Sequence, residues 1–157
     1  MERNDYLKML VEEMHSTTMA TIGADGHPQT RVIDMMLWDK KGVYFLTAKG
    51  KAFYAQLMEQ GYVAISATKD KKAVSLRGRI QNIHSEKLDE FFGKNPYMQK
   101  IYPGDTRAAL EVFRVYEAEG EYFDITRIPA VIDQHQCLHC GRCAETCPRG
   151  TIRKRGQ

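Results

Sequence analysis

Hydrophobic and polar residues follow two different rhythms along this chain. Between residues 5 and 14, Tyr6, Leu7, Leu10, Val11 and Met14 recur at three- and four-residue steps. That spacing lays one apolar stripe along a helix, and Asn4 or Asp5 can cap its start. The rhythm then shortens to two. TTMATIG, QTRVIDMMLWD and VYFLTA read as three strands, separated by the turns ADGHP and KKG. Asp-Gly and Lys-Lys-Gly breaks between such segments are hairpin signals. GKAFYAQLMEQG predicts a short helix with Phe53, Leu57 and Met58 turned inward, and YVAISATKD and AVSLRGRIQNI predict two more strands around the polar turn KDKK. SEKLDEFFGKN predicts a helix capped by Ser85, with Glu86 at the positive end of its dipole and its end set before Pro96. PYMQKIYPGD reads as irregular or as a short helical turn, after which LEVFRVYEAEGEYFDI returns to strand alternation.

Several antiparallel strands at short spacing, with two or three short helices, predict a mainly β (α+β) fold, a small antiparallel barrel with helices packed outside. A chain of 157 residues is one domain, or one domain with a short appendage, and can bury a core without disulfides. With 43% hydrophobic and 27% charged residues, it does not read as disordered. The net charge of +3 is too small to argue for nucleic acid, and Arg149, Arg153, Lys154 and Arg155 account for it. No apolar run approaches a membrane span, and the charged start MERNDYLKMLVEEM lacks the apolar stretch of a secretory signal. The expectation is a cytoplasmic chain without membrane or nucleic-acid partners.

The composition changes at about Pro129, which sets the expected boundary between a barrel over 1–128 and a segment over 129–157. All four cysteines fall in the second part, as CLHCGRCAETCPRG: Cys137, Cys140, Cys143 and Cys147, followed by Pro148. A disulfide framework would scatter its cysteines, so clustered thiols point to metal. C-x2-C-x2-C-x3-C-P is the spacing of bacterial iron–sulfur proteins. Two-residue gaps wrap the backbone around a compact cluster, and Gly141 permits the tight turn. Structural zinc is the alternative, although four-cysteine zinc sites usually use two separated knuckles. His135 and His139 read as solvated loop residues, with His135 as a non-cysteine ligand the minor option. The flanks, PAVIDQHQC and CPRGTI, resemble one half of a bacterial two-cluster ferredoxin, which implies a [4Fe-4S] cluster on these cysteines. In such ferredoxins the fourth cysteine of each run serves the other run's cluster. Cys147 therefore closes either its own chain's cluster or, in a homodimer, that of the second copy.

Residues 17–83 carry a second resemblance. Asp25, Gly26 and Pro28 in the first turn, Arg31 on the second strand, and Tyr44, Phe45 and Thr47 on the third are followed in order by Lys49, Lys51, Leu57, Leu76 and Gly78. This order resembles the FMN-binding split barrels of the pyridoxamine 5′-phosphate oxidase-like family, in particular the nitroimidazole-resistance and flavin-reductase-like branch. The resemblance implies a homodimer that binds FMN. Arg31, Lys51, Lys49 and Thr47 would meet the phosphate, a dianion that needs cations and hydroxyl donors, and the backbone of Val32 and Ile33 would run along the isoalloxazine ring. The amides opening the helix after Gly50 would add anion-binding donors. Structural alternatives stand beside these roles: a solvated turn for Lys49 and Lys51, and an exposed, acid-paired strand residue for Arg31. Trp38, Asp34 and the group Met19, Met35 and Met36 could line a pocket, although methionines more often fill a core. Arg77 and Arg79 share one strand face and read as solvated. The oxidases of this family close with an Arg-Leu-x-Pro substrate tail. Here the cysteine motif and RKRGQ stand instead, and Phe53 occupies a position where the oxidases usually have lysine. Vitamin B6 oxidation is therefore not the expected reaction.

Together the two modules imply an oxidoreductase that passes electrons between a [4Fe-4S] cluster, FMN and a small redox substrate such as a quinone, a nitro compound or another flavin. An electron-donor protein would be a further partner. The sequence singles out no catalytic side chain: it shows no nucleophile–base pair demanding hydrolytic chemistry and no nicotinamide fingerprint GxGxxG. A second reading is a non-catalytic electron carrier or redox sensor whose barrel stores flavin or holds no cofactor. A third keeps the barrel and replaces FMN by heme or a deazaflavin, because the fold alone does not choose among them.

Overall fold

The structure, a computed structural model, describes residues 3–124. The chain opens with α1 (Arg3–Lys8), which runs directly into a π-helical turn, Met9–Met14. The remaining elements are β1 (Ser16–Ile22), β2 (Pro28–Asp34), β3 (Leu37–Asp39), β4 (Gly42–Ala48), α2 (Ala52–Gln60), β5 (Tyr62–Lys69), β6 (Lys72–Asn82), α3 (Leu88–Lys94), α4 (Met98–Ile101), a 3-10 turn (Gly104–Ala109) and β7 (Leu110–Asp124). The fold is mainly β, a curled seven-stranded sheet with short helices, and its strand order is β2-β1-β5-β6-β7-β4-β3.

The sheet's outermost strands, β2 and β3, are adjacent in sequence, so its two edges must come near each other. Successive amides make the transfer: Met35 N–H bonds His15 O on the β1 side at 2.8 Å, and Met36 N–H bonds Tyr44 O on β4 at 2.9 Å. The single strand expected over QTRVIDMMLWD is therefore two. Its break was set by pairing with distant strands, which local alternation does not encode.

Two cores flank the sheet. Met19, Met35, Val43, Phe45, Phe53, Leu57, Phe113 and Val115 pack with Leu7, Leu10 and Met14 in one. Tyr44, Leu110, Val112, Phe91, Phe92 and Met98 form the other, with Met36 among them. Because strand side chains alternate, β4 sends Val43 and Phe45 to one core and Tyr44 to the other, and β7 divides its residues in the same way. This explains the near-continuous apolar run VYFL. Met19, Met35 and Met36 are buried core residues, as the favoured reading had them, and Met36 also reaches the wall of a pocket.

Three helix expectations need correction. The helix over residues 5–14 widens after Lys8, where His15 N–H reaches back five residues to Leu10 O at 2.9 Å; the wider turn keeps Met9, Leu10, Val11 and Met14 all buried. Met58 is 53% exposed, because it lies off the stripe that buries Phe53 and Leu57. Ser85 does not cap α3. Its carbonyl closes a turn with Leu88 N–H, and α3 starts after Lys87, which adopts φ 62°. Ion pairs from Lys87 to Asp39 at 3.2 Å and to Glu90 at 3.4 Å hold that conformation. The KDKK turn is a two-residue hairpin in which Asp70 (φ 49°) and Lys71 (φ 65°) both adopt the positive angles that suit a twisted ribbon.

Candidate functional site

Where β2, the end of β4 and the start of α2 face α4, a pocket of about 300 Å3 opens to solvent. Val32, Ile33 and Asp34 form one wall, Thr47 and Lys51 a second, and Tyr97, Met98 and Ile101 a third. Six residues singled out from the sequence, Val32, Ile33, Asp34, Met36, Thr47 and Lys51, thus line one cavity.

The β2 wall is the outer edge of the sheet. In an antiparallel ladder, a strand's backbone groups point alternately toward and away from its neighbour. Met35 N–H bonds His15 O, and Ile33 O accepts a bond from Thr17 Oγ1 at 2.8 Å, so the odd-numbered residues face β1. Val32 and Asp34 therefore turn their N–H and C=O groups toward the open edge. The Val32 side chain is 69% exposed.

Thr47 is buried, whereas Lys51 is exposed and has no ion-pair partner among the described residues. Lys51 stands immediately before α2 in extended backbone and gives that helix no side-chain cap. The first amides of α2 consequently retain their capacity to donate, at the end of the helix that favours negative charge.

Arg31 does not line the pocket. It is seated on α2 instead: its guanidinium lies 4.3 Å from the centroid of the Phe53 ring, Nη1 donates to Thr21 Oγ1, and Nη2 donates to Gln56 Oε1 at 3.2 Å. No carboxylate of the described residues pairs with it, so the acid-paired alternative does not hold. Desolvation lowers its pKa, as expected for a partly buried cation whose charge is met only by neutral groups. Phe53, which stands where the oxidases have lysine, is the surface that carries this arginine.

Lys49 points elsewhere. Its ammonium is 3.0 Å from Glu111 Oε1, and Glu111, buried on β7 opposite Thr47, also accepts bonds from Tyr54 O–H and Asn82 Nδ2 and lies 3.4 Å from His84 Nδ1. Burial works against its charge, but these donors outweigh it and hold the carboxyl at about 2. Trp38 also lies outside the pocket, donating to Glu12 Oε1 at 2.9 Å. Arg77 and Arg79 are exposed in ion pairs with Glu119 and Glu117. Cys137, Cys140, Cys143 and Cys147 lie outside the described residues.

Sequence reasoning missed Thr21, Phe53 and Gln56 as the seat of Arg31, and Glu111 as the partner of Lys49. Phe53 and Gln56 are three apart on α2, so they share a face, and that signal was available. Glu111 gave no such signal, because its burial depends on pairing with β4, far away in sequence. A second cavity of about 300 Å3, lined by Leu7, Val43, Val74, Leu76, Val115 and Tyr122 among others, contains no Lys, Arg or His in its wall and so offers nothing to an anion.

The family model "Pyridoxamine 5′-phosphate oxidase" matches residues 4–124, and that of a 4Fe-4S binding domain matches residues 129–152. A pyridoxine/pyridoxamine 5′-phosphate oxidase of Paracidovorax citrulli is 28% identical over 93 residues, 58% of this chain and 41% of that protein. One of Gloeothece citriformis is 24% identical over 137 residues, 85% of this chain and 60% of that protein. The chain thus spans about half the length of the curated relatives it matches. Among solved structures, a NimC/NimA family protein of Clostridium acetobutylicum superposes with a TM-score of 0.68 at 19% identity, covering 78% of this chain and 88% of that one. An F420 reductase (TM-score 0.54, 20% identity, 71% and 94% covered) and the heme storage protein HutZ of Vibrio cholerae (0.54, 15%, 79% and 95%) share the fold.

Proposed function

The chain belongs to the pyridoxamine 5′-phosphate oxidase family, and on that premise we propose that it is a flavin- and iron–sulfur-dependent oxidoreductase acting on a small redox substrate. The observation that carries this reading is the convergence of Thr47, Lys51 and the uncapped start of α2 on the pocket bounded by the open edge of β2, with Arg31 seated on the same helix without a carboxylate partner.

These residues suit FMN. A phosphate dianion needs cations that are not already neutralised, and Lys51 and Arg31 meet that condition among the described residues. Thr47 adds a hydroxyl donor. Lys49 is committed to Glu111, which leaves Lys51 and Thr47 on the pocket wall, with Arg31 outside that wall beside the first turn of α2, to hold the phosphate. Val32, Ile33 and Ile101 offer an apolar surface to a flat ring, and the outward N–H and C=O of Val32 can meet its polar edge. Bound there, FMN supplies two-electron chemistry, and a [4Fe-4S] cluster on Cys137, Cys140, Cys143 and Cys147 supplies single electrons. Four clustered thiolates are the right donor set for iron.

Val32 at 69% and Ile101 at 57% exposure are large apolar residues open to solvent at the pocket. Their burial against a second copy in a homodimer is part of this reading. An electron-donor protein would reduce the cluster, and the substrate would be a small oxidised molecule such as a quinone or nitro compound.

The phosphate assignment is tested by titrating flavin-free protein with FMN and with riboflavin. Arg31→Ala combined with Lys51→Ala removes two charge-assisted bonds, each worth roughly 1.5–3 kcal/mol. FMN binding should weaken by about two orders of magnitude or more, while riboflavin binding changes little. An FMN affinity equal to that of the unmodified chain would overturn the assignment.

A further inference from the structure

His15, Asp34 and Tyr97 come from three separate elements and meet at the wall of the pocket. His15 joins the π-helical turn to β1, Asp34 ends β2, and Tyr97 lies in the turn between α3 and α4. The Tyr97 hydroxyl is 3.4 Å from His15 Nε2, and the same nitrogen is 3.6 Å from Asp34 Oδ2. Asp34 is held in turn, its Oδ1 accepting a bond from Ser16 Oγ at 2.6 Å. Both Asp34 and Tyr97 line the pocket.

His15 is also the most unusual backbone position near this site. Its φ of 60° and ψ of −69° fall outside the regions open to a residue with a Cβ atom. Two bonds pin it there: its N–H to Leu10 O at 2.9 Å, and its C=O from Met35 N–H at 2.8 Å. Strain of this kind costs on the order of 1–3 kcal/mol and concentrates at sites of function. A merely solvated histidine would need neither the strained backbone nor two partners on one ring nitrogen.

Resting on the reading of this pocket as a redox site, we propose that Tyr97 donates a proton to a carbonyl- or quinone-type oxygen of the molecule reduced there, that His15 resupplies that proton, and that Asp34 positions His15. Conversion of a quinone to a hydroquinone requires two electrons and two protons. A reduced flavin bound there would supply both electrons and one proton. The second proton comes from Tyr97 O–H, which breaks its O–H bond as the substrate oxygen gains one. His15 Nε2–H then returns a proton to the phenolate oxygen as its Nδ1 takes one up from solvent, so that no imidazolate forms; the side chain is 37% exposed. Burial, together with the negative charge of Asp34, raises the Tyr97 pKa, which keeps the phenol protonated and ready to donate at neutral pH.

Two measurements test the proposal. In flavin-free protein, the ultraviolet difference between the unmodified chain and Tyr97→Phe isolates this one phenol. Asp34→Asn should move its ionisation to lower pH, and an unmoved midpoint would refute the coupling. With flavin bound, the protein is assayed with a soluble benzoquinone, which must gain protons, and with ferricyanide, which takes an electron and no proton. Tyr97→Phe should lower the ratio of quinone to ferricyanide rates by about a hundredfold or more. His15→Ala should lower it as well, and added imidazole should restore it, which a purely structural role would not allow. An unchanged ratio in Tyr97→Phe overturns the proposal alone. An unmodified, flavin-loaded protein that reduces neither acceptor overturns both the proposal and the redox reading beneath it.

Discussion

Glu111 is buried on β7, yet it stays ionised because four neighbours donate to it or sit beside it. The consequence for stability has a definite sign. The folded chain holds this carboxyl at about 2, below the ordinary 4.5, so the unfolded chain takes up a proton first as acid is added. The contribution is fully present above about pH 4.5 and is lost as the pH falls through about 2. Discounted for the exposed Lys49 and His84, it is on the order of 1–3 kcal/mol. Urea unfolding of Glu111→Gln at a series of pH values should show that much lost stability at neutral pH and a flatter dependence between about pH 4.5 and 2. A slope identical to that of the unmodified chain would contradict the account. At this scale, legibility in the sequence followed locality. Thr47 and Lys51 could be read because the turn, the glycine and the helix that position them are contiguous in sequence. The commitment of Lys49 to Glu111 could not be read, since it requires β4 and β7 to pair Thr47 with Glu111. The seat of Arg31 on Phe53 could not be read either, since it depends on helix packing.

Among the elements, the strands and hairpins followed their local patterns, and the departures occur where distant contacts decide. The break at Met35–Met36, the wide turn before His15 and the late start of α3 at Lys87 all answer to partners on other elements. Glycines mark a further constraint that the alternation pattern hides. At Gly120 on β7, an added Cβ would stand 2.2 Å from the Ser75 carbonyl oxygen on β6, a backbone atom that no rotamer change can remove. Gly120→Ala should therefore destabilise the fold by about 2–4 kcal/mol. Gly93, inside α3, has nothing within 4 Å of that position, so Gly93→Ala should be neutral or stabilising by up to about 1 kcal/mol. Thermal unfolding of the two variants side by side checks the contrast. Equal midpoints would mean that β6 and β7 can separate without cost.

In the whole molecule, the β2–β3 connection makes the two edges of one sheet neighbours, and the candidate pocket lies along one of those edges. The order of short motifs was enough to identify the family and the mainly β fold, because a split barrel repeats its hairpins in a fixed sequence. The third pocket wall, from Tyr97 to Ile101, stayed hidden because a four-residue helix carries no periodic signal. No helix among the described residues is long and apolar enough to cross a membrane. The central claim is that one chain holds both a flavin and an iron–sulfur cluster. Its most direct test is an anaerobic reductive titration of the purified full-length protein, followed by absorption and by iron and flavin analysis. The account predicts flavin bands over a broad sulfide-to-iron shoulder, bleached together by about three electrons per chain, two for the flavin and one for the cluster. A brown protein without flavin, a sharp Soret band, or zinc in place of iron would contradict it.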